Sequence, residues 1–222
     1  KNTAVYSEGI FVGYRYYTRK HQAVLFPFGH GLSYTTFAFD GLRLNKEKMA
    51  DTDTLTVSVD VTNTGSRDGK EVVQLYVSDR VSSVFRPIRE LKGFEKIFLR
   101  AGETKTVTFT LDRRAFAYWN TEIHDWYVES GIFDIQICQD ADTVLLSAPV
   151  TVESTTRVPA RFDMNSIMLD IMEDPHAYAV IQRAMGQAMQ GMTGDEERSS
   201  TASEAISDEM NLAMMRYMPL RG

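Results

Sequence analysis

The chain has 222 residues, 43% of them apolar and 24% charged, enough for one large globular domain or two small ones with a real core. Its net charge of −6 excludes a general nucleic-acid binder, which needs a basic patch to neutralise phosphates, and no apolar run approaches the roughly 20 residues of a membrane-spanning helix. The single cysteine, Cys138, excludes an internal disulfide and is compatible with a reducing compartment, so the cytoplasm is the favoured setting.

The first region, to about residue 35, is predicted to be an irregular, extended aromatic head. Phe11, Tyr14, Tyr16, Tyr17, Phe26, Phe28 and Tyr34 are too many large rings for a free surface loop, and an apolar cluster of this kind marks an interaction site. Arg15 can place a charge-assisted hydrogen bond across such an interface. Gly29-His30-Gly31 is not a phosphate loop, because no GxxxxGK[ST] follows; its glycines let the backbone turn tightly beside the rings. The head carries four basic residues against one acidic.

From about Thr36 to Val152 the period is two. Leu55, Val57, Val59 and Val61 alternate with Thr56, Ser58, Asp60 and Thr62, as in a strand with one buried face, and Asn63-Thr64-Gly65 supplies a turn. The pattern returns at Val73, Leu75 and Val77, at Phe94, Ile97 and Leu99, at Val107, Phe109 and Leu111, at Phe133, Ile135 and Ile137, and from Val144 to Val152. About seven short strands, separated by turns such as Ala101-Gly102-Glu103 and Glu129-Ser130-Gly131, predict a mainly β chain folded as an antiparallel sandwich. Periodicity leaves the fibronectin type III-like and immunoglobulin-like versions open.

The tail, 153–222, changes to a helical period and carries ten acidic residues against five basic from residue 158 onward. Asp174 before Pro175 predicts an N-cap with proline at the first helical position, and Ala177, Ile181, Ala184, Met185, Ala188 and Met192 share a face. A second helix is predicted from the capping-box pair Thr201 and Glu204 through Ile206, Met210, Ala213, Met214 and Met218, with the polar stretch Gly194 to Ser203 as linker. Ten of the eleven methionines follow Asp163, and flexible methionine suits irregular surfaces. The helices pack on the sandwich or each other, or their methionine face covers a patch on further domains or on a second subunit in a homo-oligomer.

No constellation in the sequence nominates a catalytic residue. Acid/base chemistry by carboxyl groups needs two of them placed side by side, but Asp112, Glu122 and Asp125 read as loop or ion-pair residues. His21, His30, His124 and His176 lack metal-ligand spacing, so no metal or cofactor is expected. Tyr118 and Trp119, with Trp126 and Tyr127, invite a sugar-stacking reading, because the apolar C–H face of a pyranose lies flat on an aromatic ring. The competing reading is core or interdomain packing.

Three sets of motifs carry a resemblance. Glu8 to Phe37, EGIFVGYRYYTRKHQAVLFPFGHGLSYTTF, resembles the junction in family 3 glycoside hydrolases (β-glucosidases) between the sugar-site α/β domain and a C-terminal fibronectin type III-like domain. VSVDVTNTGSRDGKEVVQLYVSD, RPIRELKGFEKIFLRAGETKTVTFTLDRR and YVESGIFDIQI follow in the order of that second domain, so the resemblance covers roughly residues 5–152. DMNSIMLDIMEDP and MMRYMPLR are similar to a C-terminal extension of some bacterial members, which implies a bacterial source.

The resemblance implies a boundary near residue 35 between the end of an α/β domain and a fibronectin type III-like domain, 36–152. It also implies that Tyr14, Arg15, Tyr16, Phe28 and Tyr34 are interdomain contacts. The family's catalytic aspartate and acid/base glutamate lie upstream of such a junction. The expected function is therefore a non-catalytic part of a β-glucosidase, partnered with the catalytic domains of the same enzyme; a free-standing carbohydrate- or protein-binding module is the alternative. The absence of an initiator methionine at Lys1 favours the first reading and leaves an upstream signal peptide open.

Overall fold

The computed structural model describes residues 4–5, 7–158, 162–163, 165–192 and 217–218, with only the backbone of 185–192. The chain divides into two compact units, Lys1–Arg157 and Val158–Gly222.

The first unit is a β-sandwich with the head folded against it. Three strands, β1 (Phe37–Leu44), β3 (Leu55–Asn63) and β6 (Thr104–Leu111), form one antiparallel sheet in the order β1-β3-β6. Five strands form the other, in the order β2-β10-β9-β4-β5: β2 (Lys48–Ala50), β10 (Val144–Glu153), β9 (Gly131–Cys138), β4 (Gly69–Asp79) and β5 (Glu90–Leu99). The alternation of β3 is realised strictly: Leu55, Val57, Val59 and Val61 have no exposed surface, while Thr56, Ser58, Asp60 and Thr62 between them are half-buried. They meet Val73, Leu75, Ile135, Ile137, Val150 and Val152 from the opposite sheet in one apolar core, the two-layer solution for sheets with one greasy face each.

β1 and β2 are among the strands that escape simple alternation. In β1 the inward set shifts from Phe37 and Phe39 to Leu42 and Leu44, because the pairing with β3 skips register between Asp40 and Arg43. Gly41 sits at the skip with φ 61°, a conformation that favours glycine, and its N–H donates to the Asp40 carboxylate at 2.7 Å. β2 is three residues long and pairs parallel to β10, too short to show a period.

Polar residues fix the ends of the sandwich. Asn63 is fully buried; its amide donates to the carbonyls of Arg67 and Leu99, and its Oδ1 accepts from Thr35 Oγ1 and the Gly65 N–H. Asp112 caps the short helix α2 (Arg113–Phe116) by accepting the Arg114 N–H at 2.9 Å, and α2 drives Phe116 into the core, edge-on to Phe133. A hairpin of β7 (Tyr118–Asn120) and β8 (Asp125–Tyr127) follows.

In the second unit, α3 (Met168–Glu173) buries Ile171, and α4 (Pro175–Met192) starts where Asp174 Oδ1 accepts the N–H groups of His176 and Ala177. The Met168 N–H donates to the Met218 carbonyl at 3.0 Å. The predicted second helix from Thr201, the linker Gly194 to Ser203 and the side chains of Met185, Ala188 and Met192 lie outside the described residues, apart from Tyr217 and Met218.

A candidate interdomain face on the aromatic head

The head is not extended throughout: Tyr14–Lys20 forms a helix, α1, closed at His21, whose φ of 49° lets its N–H reach the Thr18 carbonyl. Aromatic and cationic residues fall on every side of YRYYTRK, so the sequence offers no apolar stripe that would announce a helix.

One side of the head is sealed to the outer face of the five-stranded sheet. Tyr14 stacks on Phe28 at 5.1 Å between ring centroids, meets Tyr76 edge-on at 5.9 Å, and accepts the Leu91 N–H on its hydroxyl at 3.0 Å. The Phe28 carbonyl accepts the Ala141 N–H at 2.8 Å. Beneath them Gln74 donates to the Gly29 and Gln139 carbonyls at 3.2 and 2.8 Å and accepts the Tyr76 hydroxyl at 3.0 Å. Gly29, at φ 88°, is required here, because a Cβ would collide with the Gln74 amide. Burial pushes the Tyr76 hydroxyl far above the ordinary tyrosine pKa, and pushes the Cys138 thiol up to about 11, so that cysteine is no nucleophile.

A charged seam runs beside this contact. Arg15 pairs with Glu90 at 2.9 Å, and Glu90 also takes Lys92 at 3.3 Å. Arg86 pairs with Asp79 at 3.2 Å, their side chains only 8% and 4% exposed, and donates to the Phe116 carbonyl. Burial raises the Asp79 pKa, and Arg86 pulls it partly back; burial lowers that of Lys92 against the pull of Glu90. Phe11 packs on Phe85 at 4.8 Å, with Arg19 over the same ring.

The other side of the head faces outward. Tyr34 and Leu32 are each 93% exposed, Phe28 keeps 51% of its surface, and Leu25, Phe26 and Tyr16 are also exposed. An apolar hollow lined by Phe28, Gly29, His30, Val72, Gln74, Leu91 and Phe94 continues this surface onto the sheet. Of the five head residues singled out from the sequence, Tyr14, Arg15 and Phe28 are therefore brought together against β4 and β5. Tyr16 lies against Tyr17 at 5.6 Å, and Tyr34 is away from them all. The receiving residues Gln74, Tyr76 and Leu91 were missed. Their signal was the loss of alternation in Val72-Val73-Gln74-Leu75-Tyr76-Val77, the mark of a strand covered on both faces.

At the hairpin, Tyr118 turns onto Tyr127 at 5.8 Å with Arg86 over its ring, whereas Trp119 stays 50% exposed, edge-on to Trp126 at 5.7 Å. Trp126 packs against the core, and the Arg114 guanidinium lies 3.5 Å from its ring centroid. The carboxylates of this region are occupied locally: Asp112 caps α2, Asp125 accepts the Trp126 N–H, and Glu122 is also engaged. Among the described residues no cluster of His, Cys, Asp or Glu has the makings of a metal site.

Residues 71–141 match the family described as a fibronectin type III-like domain. The chain is 48% identical over 216 residues to thermostable beta-glucosidase B of Acetivibrio thermocellus, an alignment that covers 97% of this chain and 28% of that protein. It is 47% identical over 148 residues to an exo-alpha-(1->6)-L-arabinopyranosidase of Bifidobacterium breve, covering 67% of this chain and 19% of that protein. The GH3 beta-glucosidase structure from Bifidobacterium adolescentis superposes with a TM-score of 0.69 at 41% identity over 78% of this chain and 25% of that one. For the beta-glucosidase of Kluyveromyces marxianus the TM-score is 0.62, at 46% identity over 68% and 18%. The chain thus spans about a quarter or less of the length of these relatives, and it belongs to the fibronectin type III-like, C-terminal portion of the family 3 glycoside hydrolases.

Proposed function

We propose that this chain is the non-catalytic C-terminal portion of a β-glucosidase that removes terminal β-linked glucose with retention, and that it braces the catalytic domains of the same enzyme. One observation carries the reading: nearly all of the chain aligns with a β-glucosidase, yet it accounts for 28% of that enzyme's length. The outward side of the head, with Phe28, Tyr34 and Leu32, supplies the contact, and the Tyr14, Arg15 and Gln74 bonds hold that surface at a fixed angle to the sandwich. Boundaries near residues 35 and 152 belong to the same reading, with 1–35 as the end of an α/β domain, as does a homo-oligomer contact through the methionine-rich tail. Sedimentation with and without residues 193–222 checks that contact.

The test is hydrolysis of an aryl β-glucoside by this chain alone, by an upstream catalytic portion alone, and by the two mixed. Release of aglycone by the mixture well above either part supports the brace. Heat-labile hydrolysis proportional to the concentration of this chain alone overturns it.

A further inference from the structure

We infer that the hairpin β7–β8 is a binding site for a neutral pyranose oligosaccharide, which stacks on Trp119 and takes hydrogen bonds from Arg114. Three of the hairpin's four large rings are engaged: Tyr118 with Tyr127, and Trp126 between the core and the Arg114 guanidinium. Trp119 alone offers half its surface to solvent. It is also held in place, because its ring is braced edge-on by Trp126, itself clamped at 3.5 Å by Arg114. A ring ordered before binding loses little conformational freedom when a ligand lands on it.

The neighbouring polar groups decide what lands. Among the described residues, the Arg114 guanidinium makes no hydrogen bond or ion pair, and the Trp119 indole N–H makes no hydrogen bond. Donors beside an exposed aromatic face match a pyranose, whose C–H face is apolar and whose rim is hydroxyl. The hairpin and its flank carry Asp112 and Asp125, while Arg113 is drawn to the buried Asp51, so Arg114 is outnumbered and an anionic saccharide is disfavoured. A protein partner would be met by a contiguous apolar patch, but the turn beside Trp119 exposes Thr121, Glu122 and His124.

The 222-residue chain contains two tryptophans, so their fluorescence can report the titration. With cellotetraose and laminaritetraose as probes, the wild type and Trp126→Phe should give a saturable shift of emission. Trp119→Ala, melting at the wild-type temperature, should bind at least about tenfold more weakly. Trp119→Phe should recover part of the affinity, and Arg114→Ala should weaken it. Absence of a saturable response to both saccharides overturns the proposal, as does equal affinity of Trp119→Ala. Trp119-dependent sedimentation as a dimer without saccharide binding also overturns it and assigns the ring to a second copy. Binding by this chain is read without hydrolysis, so its failure is separate from that of the proposed function.

Discussion

Gln74→Leu isolates the bond network that fixes the head to the sandwich. Gln74 is 3% exposed, and its side chain makes three hydrogen bonds, to the Gly29 carbonyl, the Gln139 carbonyl and the hydroxyl of the fully buried Tyr76. An ordinary hydrogen bond contributes about 1 kcal/mol net, but a sealed polar group left without a partner costs about 1–3 kcal/mol. The two carbonyls can regain water as the loop relaxes, whereas the Tyr76 hydroxyl cannot, so the expected loss is about 3 kcal/mol. For a chain of this size that lowers the melting temperature by roughly 6–12 °C. Calorimetry reads the loss, and limited trypsin digestion reads where it falls: cleavage after Arg19 and Lys20 should accelerate while the sandwich resists. Adding Tyr76→Phe removes the stranded hydroxyl, so the double variant should be more stable than Gln74→Leu by about 1–2 kcal/mol. Additive losses in the double variant would refute the reasoning.

The buried pair behaves differently from the exposed one. Arg86→Met leaves Asp79 buried without its cation and should cost about 3–5 kcal/mol in denaturant unfolding, whereas Arg43→Met, at the half-exposed pair with Asp60, should cost no more than a small part of that. Glu71 has its carboxyl raised by burial, against one N–H bond from Val72. Its ionisation therefore opposes folding, an effect absent below the unfolded value near 4 and growing as pH rises through the folded value. Glu71→Gln should raise the melting temperature at about pH 7 and make no difference below about pH 4. Tyr34→Ser should leave the melting temperature of this chain unchanged, since Tyr34 is 93% exposed, yet weaken its complementation of the catalytic portion; undiminished complementation removes Tyr34 from the contact.

Much of the sandwich was legible because one-sided burial writes itself as alternation. β3 buries every second residue throughout, and β6 and β9 do so over most of their length, so each was readable from its own side chains. β1 was not, because its bulge at Gly41 moves the inward set by one residue halfway along. α1 was not, because rings line both its sealed and its open side. The docking site for the head was hidden for a related reason. Val72, Gln74 and Tyr76 look like unremarkable members of an apolar run until the outer face of β4 is seen to be covered. Of the hairpin rings, Tyr118 and Trp119 are adjacent in sequence, and only the cross-strand pairing of β7 with β8 separates an engaged ring from an open one.

The bonds holding the head explain why its outer side matters. A loop tethered only by apolar contact could rotate to hide Leu32 and Tyr34, since burying a large side chain is worth about 1.5–3 kcal/mol. Here the loop from Pro27 to His30 is fixed by Gln74 below and Ala141 beside it, and α1 is fixed by Tyr14 and Arg15. Directional bonds of this kind leave the outer residues no local route to burial, so their apolar surface stays available to a partner. On the proposed reading that partner is the catalytic part of the enzyme, and the sandwich serves it as a rigid base: β4, covered on both faces, carries the head on one side and the core on the other.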